Sequence, residues 1–470
     1  TSTYLINKAD FVACHKASYI RQYNMVEDVK PGGVFLLNCS WNAEELEEHL
    51  PGQVKKYIAD NNIQFYTIDG VKIGKEIGLG NRINTVLQSA FFKLSKILPE
   101  EDAIKYMKDA ATASYSKKGD AIVKMNHDAI DAGAQQIVKV EVPESWKNAQ
   151  SEDLSVKHDG EGKLIDYVND VLVPINQFRG MQLPVSTFEA YQTGEVPLGS
   201  SAFEKRGIAI DVPVWNNETC IECGNCSYVC PHACIRPVIL TKEELDNAPE
   251  GIRYQNAMQL DGYYYAMAIS VYDCTGCGSC VNVCPGKKGE KALVMANMEE
   301  NAAEQDIFDF GREIEVKPEV VAKFKPETVK GSQFKQPLLE FSGACAGCGE
   351  TPYAKLITQL FGDRMYIANA TGCSSIWGNS SPSTPYTVNA KGQGPAWSNS
   401  LFEDNAEFGY GMLLAQRAIR DGLKAKVEAV VAEGKDEAVK EAGQEWLDTF
   451  SVGATNGAAT DKLIAALEAC

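Results

Sequence analysis

The sequence predicts a multi-domain α/β protein that carries a cysteine-rich module within it. Three observations indicate this fold class. The chain has 470 residues, 44% of them hydrophobic, so it can bury about three or four separate cores. Its first 150 residues alternate short apolar runs with helical patterns, which is typical of a parallel sheet covered by helices. Eight of its 15 cysteines fall in two short runs between residues 220 and 284.

The first 150 residues contain four segments with the apolar, β-branched or aromatic composition of strands. One of them, GVFLLNC at 33–39, follows Pro31-Gly32 and is largely apolar, which indicates a buried strand. The four predicted strands cover residues 11–14, 33–39, 63–69 and 138–142.

Helical patterns fill the spaces between these strands. Asn42 offers a side-chain oxygen that can cap a helix beginning at Ala43. A helix is also expected after the first strand, ending near Val29, and two longer helices are expected over 83–98 and 102–115. The order strand, helix, strand predicts parallel pairing, because parallel strands need a crossover connection.

The rest of the chain changes composition three times. Residues 151–213 are rich in Gly, Pro and polar side chains, which predicts a small irregular domain or a wrapping linker. Residues 301–340 contain three prolines and are expected to form an extended connection. Helices rich in Ala, Glu and Lys are predicted from about residue 407 to the end.

The formal net charge of −18 argues against a nucleic-acid or anionic-membrane partner, because either would require a concentrated basic surface. No segment approaches the ~20 apolar residues of a membrane span, and the first residues lack the pattern of a secretory signal. A soluble, cytoplasmic protein is therefore expected. In a reducing compartment, metal binding explains clustered cysteines better than disulfides do.

Each cysteine run has the spacing Cys-x2-Cys-x2-Cys-x3-Cys-Pro. Bacterial ferredoxins with two [4Fe–4S] clusters have this spacing, and the fourth cysteine of each run binds the other cluster. The alternative is a four-cysteine zinc site, although zinc motifs rarely have this spacing even once. The first predicted ligand set is Cys220, Cys223, Cys226 and Cys284. The second predicted set is Cys274, Cys277, Cys280 and Cys230.

Small residues within the runs fit this interpretation. Gly224, Gly276 and Gly278 permit tight turns and leave backbone N–H groups free to approach sulfur. Cys234 lies just beyond the first run and is interpreted as a buried thiol outside the ligand sets.

A third group of cysteines follows the module. Cys345 and Cys348 have the spacing C-x2-C, and 24 residues separate Cys348 from Cys373. Three thiolates at this spacing can hold three corners of a further cluster. On spacing alone, spare thiols or part of a zinc site remain the alternative.

Around these cysteines the chain resembles the pyruvate:ferredoxin oxidoreductase family. ACAGCGETPY at 344–353, ATGCSSIW at 370–377 and GQGPAWSNSLFEDNAEFGYGM at 392–412 are similar to the thiamine-diphosphate domain of that family. SAFEKRGIAIDVPVW at 201–215 is equally typical, and GLGNRINTVLQSAFF at 78–92 resembles the γ-type oxidoreductase domain. The resemblance covers essentially the whole chain in the family's domain order.

The resemblance implies four domains. A γ-type parallel-sheet domain covers 1–150, and a small irregular linker domain covers 151–213. A ferredoxin-like α+β module with two [4Fe–4S] clusters covers 214–318. The N-terminal part of a thiamine-diphosphate-binding α/β domain covers 319–470.

The family converts pyruvate, coenzyme A and oxidised ferredoxin to acetyl-CoA, CO2 and reduced ferredoxin. Flavodoxin is an alternative electron acceptor. Thiamine diphosphate with Mg²⁺ supplies the carbon chemistry, and three [4Fe–4S] clusters carry the electrons away. The resemblance implies the same cofactors and partners here, and a homodimer for the full-length enzyme.

Residue roles carry over only where this sequence matches the family's motifs. In that pattern Cys345, Cys348 and Cys373 bind the cluster nearest the thiamine. Glu350 and Cys373 would also line the thiamine site.

Two asparagines and a lysine patch are further candidates. Asn84 and Asn126 match positions that contact coenzyme A in the γ-type domain. Without the resemblance, an asparagine that caps a helix is the commoner explanation of either residue. Lys287, Lys288 and Lys291 form a basic patch suited to carrier docking, and an ordinary solvated turn is the alternative.

The sequence departs from the family pattern in three features. It has no counterpart of the fourth ligand to the third cluster, of the GDG motif that binds Mg²⁺ and diphosphate, or of the pyruvate-binding domain. No catalytic residue is therefore assigned, and the chain is expected to be an internal fragment that lacks turnover alone. Two alternatives stay open: a non-catalytic iron–sulfur electron-transfer subunit, and an oxidoreductase for another 2-oxoacid.

Overall fold

The structure is a computed structural model that describes residues 6–379, 382–400, 402 and 404–470. The chain forms two compact units. The first unit consists of Thr1–Gly362 and Trp377–Gly392, and the second of Asp363–Ile376 and Gln393–Cys470. Leu401 and Glu403, which belong to the family-like stretch 392–412, lie outside the described residues.

The first unit begins with a sheet made of β1 (Ala9–Cys14), β2 (Val29–Asn38), β3 (Gln64–Ile68) and β4 (Val138–Lys139). Its strand order is β1-β2-β3-β4. The parallel pairing predicted for the first three strands is confirmed, whereas β4 runs antiparallel to β3. Phe35 and Leu37 pack on one face and Leu36 on the other, so β2 is buried on both faces.

The helices of this region are α1 (Tyr19–Gln22), α2 (Ala43–His49), α3 (Gly52–Asp60), α4 (Gly70–Ile77), α5 (Asn84–Ser95), α6 (Glu100–Tyr115) and α7 (Asp120–Gln135). The cap predicted at Asn42 is confirmed, since its side chain accepts from the backbone N–H groups of Glu44 and Glu45. The helix predicted to reach Val29 is wrong. It ends at Gln22, because Val26 and Val29 are buried against the sheet and Val29 already belongs to β2.

Residues 151–210 are irregular, as the composition predicts. They contain α8 (Lys163–Tyr167), a π-helical turn (Val168–Leu172) and α9 (Val173–Asn176), followed by short 3-10 turns. Val168, Val171 and Leu172 form a small core of their own.

The cysteine-rich module contains β5 (Asp211–Trp215), β6 (Ile235–Leu240), β7 (Gln255–Asn256), β8 (Tyr264–Ile269) and β9 (Leu293–Asn297). β5 pairs with β9, and β8 lies between β6 and β7, all antiparallel. Its helices are α10 (Asn225–Val229), α11 (Lys242–Asp246) and α12 (Ser279–Val283). Trp215, Tyr265 and Leu293 belong to its core.

The extended connection predicted over 301–340 is wrong. This stretch forms α13 (Glu304–Glu313), α14 (Pro318–Lys323) and α15 (Val329–Gln333). Pro318 occupies the first turn of α14, where a missing N–H costs no helical hydrogen bond. A proline that starts a helix was thus mistaken for one that prevents it.

The remaining elements begin with α16 (Thr351–Phe361) in the first unit. The second unit has a parallel pair, β10 (Tyr366–Asn369) and β11 (Ala396–Asn399). The other helices are α17 (Cys373–Asn379), α18 (Asn405–Glu433), α19 (Glu437–Thr449) and α20 (Gly453–Ala469), so the helices predicted from residue 407 are confirmed. Within the described residues, no helix combines the length and apolarity needed to cross a membrane.

Candidate metal centres

The cysteines of the first predicted ligand set line one cavity, named here the first cavity. About 330 Å³ of space between atoms is surrounded by Cys220, Cys223, Cys226 and Cys284. Its remaining walls include the apolar side chains of Trp215, Tyr265, Met267 and Leu293. Three of the thiols come from the first run and the fourth comes from the second.

The second cavity has the reciprocal composition. About 380 Å³ of space is surrounded by Cys274, Cys277, Cys280 and Cys230. Cys234 lines this cavity as a fifth cysteine, although sequence reasoning left it outside the site. The structure therefore brings together the same two groups of four that the spacing predicts.

Two five-residue helices produce this exchange of the fourth cysteine. α10 leads from the first cavity to Cys230 in the second, and α12 leads from the second cavity to Cys284 in the first. Each helix begins after a left-handed glycine, Gly224 at φ 77° and Gly278 at φ 73°. The turns predicted at these glycines are confirmed, because only glycine adopts this conformation without steric cost.

Backbone N–H groups point at sulfur atoms in both cavities. Cys220 Sγ accepts from the N–H of Glu222, and Cys274 Sγ accepts from the N–H of Gly276, each at 3.4 Å. Cys230 Sγ accepts from the N–H of Cys234 at 3.4 Å. Cys284 Sγ accepts from Ala292 N–H at 3.3 Å. Such donors stabilise charge on thiolates and raise the reduction potential of bound iron–sulfur clusters.

Glu222 is a site residue that sequence reasoning missed. It has φ 53°, the left-handed conformation that Gly276 adopts at φ 66° two residues after the first cysteine of the second run. A non-glycine residue in this region costs about 1–2 kcal/mol. Aligning the two runs would have revealed it, because a glutamate stands where the other run has glycine.

The buried carboxylate of Glu222 is held by three donors. Its oxygens accept from Gln255 Nε2 at 2.9 Å, from the Met258 N–H at 3.1 Å and from Lys330 Nζ at 3.2 Å. Glu222 is 1% exposed. These contacts offset the backbone strain and fasten the first cysteine loop to β7 and α15.

Unpaired donors in the cavity walls fit a sulfur-rich group. The hydroxyls of Tyr265, in the first cavity, and Thr275, in the second, are buried and have no hydrogen-bond partner among the described residues. Buried hydroxyls without acceptors are costly, and the sulfides of a cluster supply acceptors. The donor set of four thiols with amide donors is the set that [4Fe–4S] clusters use.

Burial alone would keep the thiols of Cys226, Cys274 and Cys280 protonated. It raises the pKa of Cys274 to about 12 and raises the pKa values of Cys226 and Cys280. Cys230 differs, since a hydrogen bond with the Cys234 side chain lowers its pKa despite burial. Thiolates at such depth need a compensating positive charge, which iron provides.

In the described part of the chain, no group of three or more His, Cys, Asp or Glu side chains is arranged around a single metal ion. Zn–S bonds are about 2.3 Å, so a zinc site would hold its four thiolates close together. The cysteines here are gathered around cavities instead.

Comparisons with known proteins agree with this geometry. Residues 1–136 match the family described as pyruvate ferredoxin/flavodoxin oxidoreductase, and residues 216–287 match the 4Fe-4S dicluster domain. Residues 155–209, between them, match a domain of unknown function.

Curated relatives cover nearly the whole chain. It is 52% identical over 435 residues to pyruvate-flavodoxin oxidoreductase of Enterobacter agglomerans, which covers 93% of this chain and 36% of that protein. It is 50% identical over 449 residues to pyruvate:ferredoxin oxidoreductase of Moorella thermoacetica, covering 95% of this chain and 37% of that protein. Pyruvate dehydrogenase [NADP(+)] of Cryptosporidium parvum is 45% identical, with 91% of this chain and 23% of that protein covered.

The chain belongs to the pyruvate:ferredoxin/flavodoxin oxidoreductase family. It spans little more than a third of the length of the first two relatives named above. The residues that match the 4Fe-4S dicluster domain, 216–287, include the eight cysteines around the two cavities.

The C-x2-C pair that the family resemblance assigns to a third cluster lies beside the second cavity. The N–H of Glu350 donates to Cys348 Sγ at 3.4 Å, which repeats the pattern of the two cysteine runs. A Cβ built on Gly347 would lie 3.7 Å from Cys277 Cβ. Cys345 is exposed. This loop therefore lies next to a cysteine of the second cavity.

The residues that the family pattern assigns to thiamine are described in separate units. Glu350 precedes α16 in the first unit, and its carboxylate accepts from Trp377 Nε1 at 3.3 Å. Cys373 is exposed and begins α17 within the second unit.

The two asparagines assigned to coenzyme A line a single cavity of about 810 Å³. Asn84 is the first residue of α5, and Asn126 lies inside α7, where its Nδ2 donates to the Ile122 carbonyl at 2.8 Å. The helix-capping explanation is wrong for both residues, because Ile83 and Gly119 occupy the N-cap positions.

Two lysines contact the helices that link the cavities. Lys291, part of the predicted docking patch, donates to α12 carbonyls, whereas Lys287 and Lys288 are exposed. Lys355 of α16 is 1% exposed and donates to α10 carbonyls. Sequence reasoning missed Lys355, because nothing in its local sequence distinguishes it from a solvated helical lysine.

Proposed function

We propose that this chain forms part of an enzyme that converts pyruvate, coenzyme A and two oxidised ferredoxins or flavodoxins to acetyl-CoA, CO2, a proton and two reduced carriers. The two reciprocal four-cysteine cavities carry this proposal. The family membership supports it, because the relatives are named for pyruvate and for these carriers.

Within this function, the chain's role is to relay electrons. [4Fe–4S] clusters, when bound, accept and release one electron each. The two sets of four cysteines would hold them, the amide groups donate to cysteine sulfur, and Tyr265 and Thr275 would offer further donors. The apolar walls of the first cavity exclude water and lower the local dielectric constant.

A third cluster site on Cys345, Cys348 and Cys373 is part of the proposal, as is a thiamine diphosphate–Mg²⁺ site that includes Glu350 and Cys373. The proximity of Gly347 to Cys277 supports a relay that begins near the third group. α10 and α12 join the second cavity to the first, so the cysteines of these two cavities would hold their clusters next to each other.

The cavity between α5, α6 and α7 is proposed to bind coenzyme A. Asn84 and Asn126 offer amide groups, and Phe92, Tyr106 and Met107 offer apolar contacts for the pantetheine arm. Titration calorimetry with coenzyme A should detect binding that N84A and N126A weaken. N148A, an exposed asparagine outside the cavity, is the matched control. Equal affinity in all four proteins would contradict this assignment.

The division into four domains, a homodimer for the full-length enzyme and a cytoplasmic location complete the proposal. The carbon substrate is tested on the full-length protein with a panel of 2-oxoacids. Pyruvate should be the preferred substrate, and preference for another 2-oxoacid would reject pyruvate while retaining the electron relay.

The decisive test of the relay is metal analysis of the anaerobically purified chain. About eight irons and eight sulfides are expected for the two cavities, with EPR signals of two reduced clusters. C234A should retain both clusters, because Cys234 lies outside the proposed ligand sets. Zinc, or no metal after reconstitution with iron and sulfide, would reject the proposed function.

A further inference from the structure

The two helices that link the cavities receive a lysine ammonium at equivalent positions. Lys355 Nζ donates to the carbonyls of Ser227 and Tyr228 in α10, the latter at 3.3 Å. Lys291 Nζ donates to the carbonyls of Val281 and Asn282 in α12, at 2.6 and 3.4 Å. In both helices the accepting residues are the first and second after the third cysteine of the run.

The equivalence is not visible in the sequence. Lys291 follows the second run by seven residues, whereas Lys355 lies on α16, more than a hundred residues after the first run. The two lysines therefore reach matching places from unrelated parts of the chain. Each cation faces the carbonyl end of a short helix, where the helix dipole favours positive charge.

Burial distinguishes the two ammonium groups. Lys355 is 1% exposed, whereas Lys291 is exposed to solvent. Water and salt screen an exposed charge strongly, and a buried charge acts through a lower effective dielectric constant. Lys355 should therefore influence charge in its cavity far more than Lys291 does in the other.

The hydrogen bonds around Lys355 indicate which cavity it influences. Burial lowers the pKa of Lys355 to about 8. The Ser227 carbonyl oxygen that accepts from Lys355 Nζ also accepts from the Cys230 N–H at 3.2 Å, so the ammonium lies beside this cysteine. Cys230 is the fourth cysteine of the second cavity.

From this geometry we infer that Lys355 is a buried counter-charge that raises the reduction potential of the cluster held by Cys274, Cys277, Cys280 and Cys230. The inference rests on the proposed function, because it requires clusters in both cavities. Reduction adds one electron, and thus one negative charge, which a fixed nearby cation stabilises. Lys291 occupies the matching place beside α12 but has only a small effect.

This assignment bears on the electron transfer between the third group and the second cavity. The second cavity lies beside the Cys345–Cys348 loop, and α16, which carries Lys355, follows that loop directly. A higher potential at the second cavity would favour arrival of an electron from the third group and would disfavour its onward transfer to the first cavity. The same side chain also fastens α16 to the cysteine module through α10.

The test compares K355M, K355Q and K291M with the unsubstituted chain. Each protein is purified anaerobically, assayed for iron and sulfide, and titrated with dithionite while EPR signals of both clusters are recorded. K355M should shift the reduction equilibrium of one cluster at least tenfold toward the oxidised form, and 59 mV corresponds to tenfold for one electron. K291M should shift either cluster less than threefold.

K355Q separates charge from hydrogen bonding. Glutamine retains an N–H donor for the α10 carbonyls but carries no charge, so it should lower the same potential and leave the fold intact. A wild-type potential in K355Q, or equal shifts in K355M and K291M, would overturn the inference while the clusters remain. Absence of clusters from the unsubstituted chain would instead overturn the proposed function. If K355M loses iron, the K355Q potential alone decides between these outcomes.

Discussion

The two halves of the cysteine module share their spacing but differ in how the surrounding chain holds them. In the first half Glu222 adopts the left-handed conformation, and in the second half Gly276 does. α10 is capped by the buried Lys355, and α12 by the exposed Lys291. The pair shows that equal ligand spacing does not imply equal surroundings, because the residues around the ligands come from different parts of the fold.

The two halves also differ in the ion pairs that connect them to neighbouring segments of the chain. β6, which follows the first run, carries Arg236, and this side chain pairs with Glu340, which is fully buried. Arg312 also donates to Glu340, at 3.0 Å. On the side of the second run, the buried Asp273 pairs with Lys205 at 2.7 Å. Buried charges on both sides thus connect the module to neighbouring segments.

The largest effect is expected from substituting the crossed ligands. C284A should remove the cluster of the first cavity although Cys284 belongs to the second run, so about four of eight irons are lost. Its EPR spectrum should match that of C223A and differ from that of C277A. A C284A spectrum that matches that of C277A would show that each run holds its own cluster. The exchange of the fourth cysteine between the two halves would then be rejected.

Replacing the left-handed residues should destabilise the halves by different mechanisms. E222A leaves Lys330, Gln255 and the Met258 N–H without their buried acceptor, at a cost of about 3–5 kcal/mol. G276A should cost about 1–2 kcal/mol from backbone strain alone. Urea denaturation followed by tryptophan fluorescence measures both changes.

E222Q is the matched control, because it keeps the side-chain shape and part of the hydrogen bonding. It should lose less stability than E222A. The added Cβ of G276A would lie 2.9 Å from the Asp211 carbonyl oxygen, so its cost should exceed the strain value. Equal losses in E222A and E222Q would mean that the charge of Glu222 accounts for the whole effect and that the retained shape and hydrogen bonds contribute nothing.

The Glu340 contacts predict an acid-sensitive attachment of the first half. Burial raises the pKa of Glu340, but Arg236 and Arg312 lower it more, so the net shift is downward. A lowered folded-state pKa means that the stabilisation is complete above the unfolded value of about 4.3 and is lost as the pH falls through the folded value. E340Q should lose about 1.5–3 kcal/mol at pH 7.

The pH profile distinguishes this effect from a simple loss of packing. Urea denaturation of the full chain between pH 7 and pH 3 should show the wild-type and E340Q free energies converging as the carboxylate is protonated. A constant difference across that range would contradict an ionised Glu340.

The smallest effect is expected at the exposed lysines after the second run. Charge reversal at Lys287 and Lys288 should slow electron transfer to an acidic ferredoxin or flavodoxin several-fold, and more strongly at low salt, because complementary charge steers docking. Stopped-flow mixing of the reduced chain with oxidised carrier measures the rate. Reversal at Lys117 and Lys118, another exposed pair, is the control, and equal slowing by both would dismiss a docking role.

Much of the fold was predictable where short-range signals decide it. The apolar run at 33–39 became β2, the cap at Asn42 formed, and the parallel pairing followed from the strand–helix order. The helix expected to reach Val29 and the extended stretch over 301–340 failed. The helix ends early because Val26 and Val29 are buried against the sheet. The stretch 301–340 is helical because Pro318 stands in the first turn of α14 and does not interrupt the helix.

The sequence by itself determined which cysteines can serve together, because the spacing of each run and the turns at Gly224 and Gly278 are local properties. Only the tertiary structure decided what surrounds them. Glu222 meets Lys330 across 108 residues, and Lys355 meets Ser227 across 128 residues. Such contacts arise when distant helices pack together, so no pattern within either segment could have indicated them.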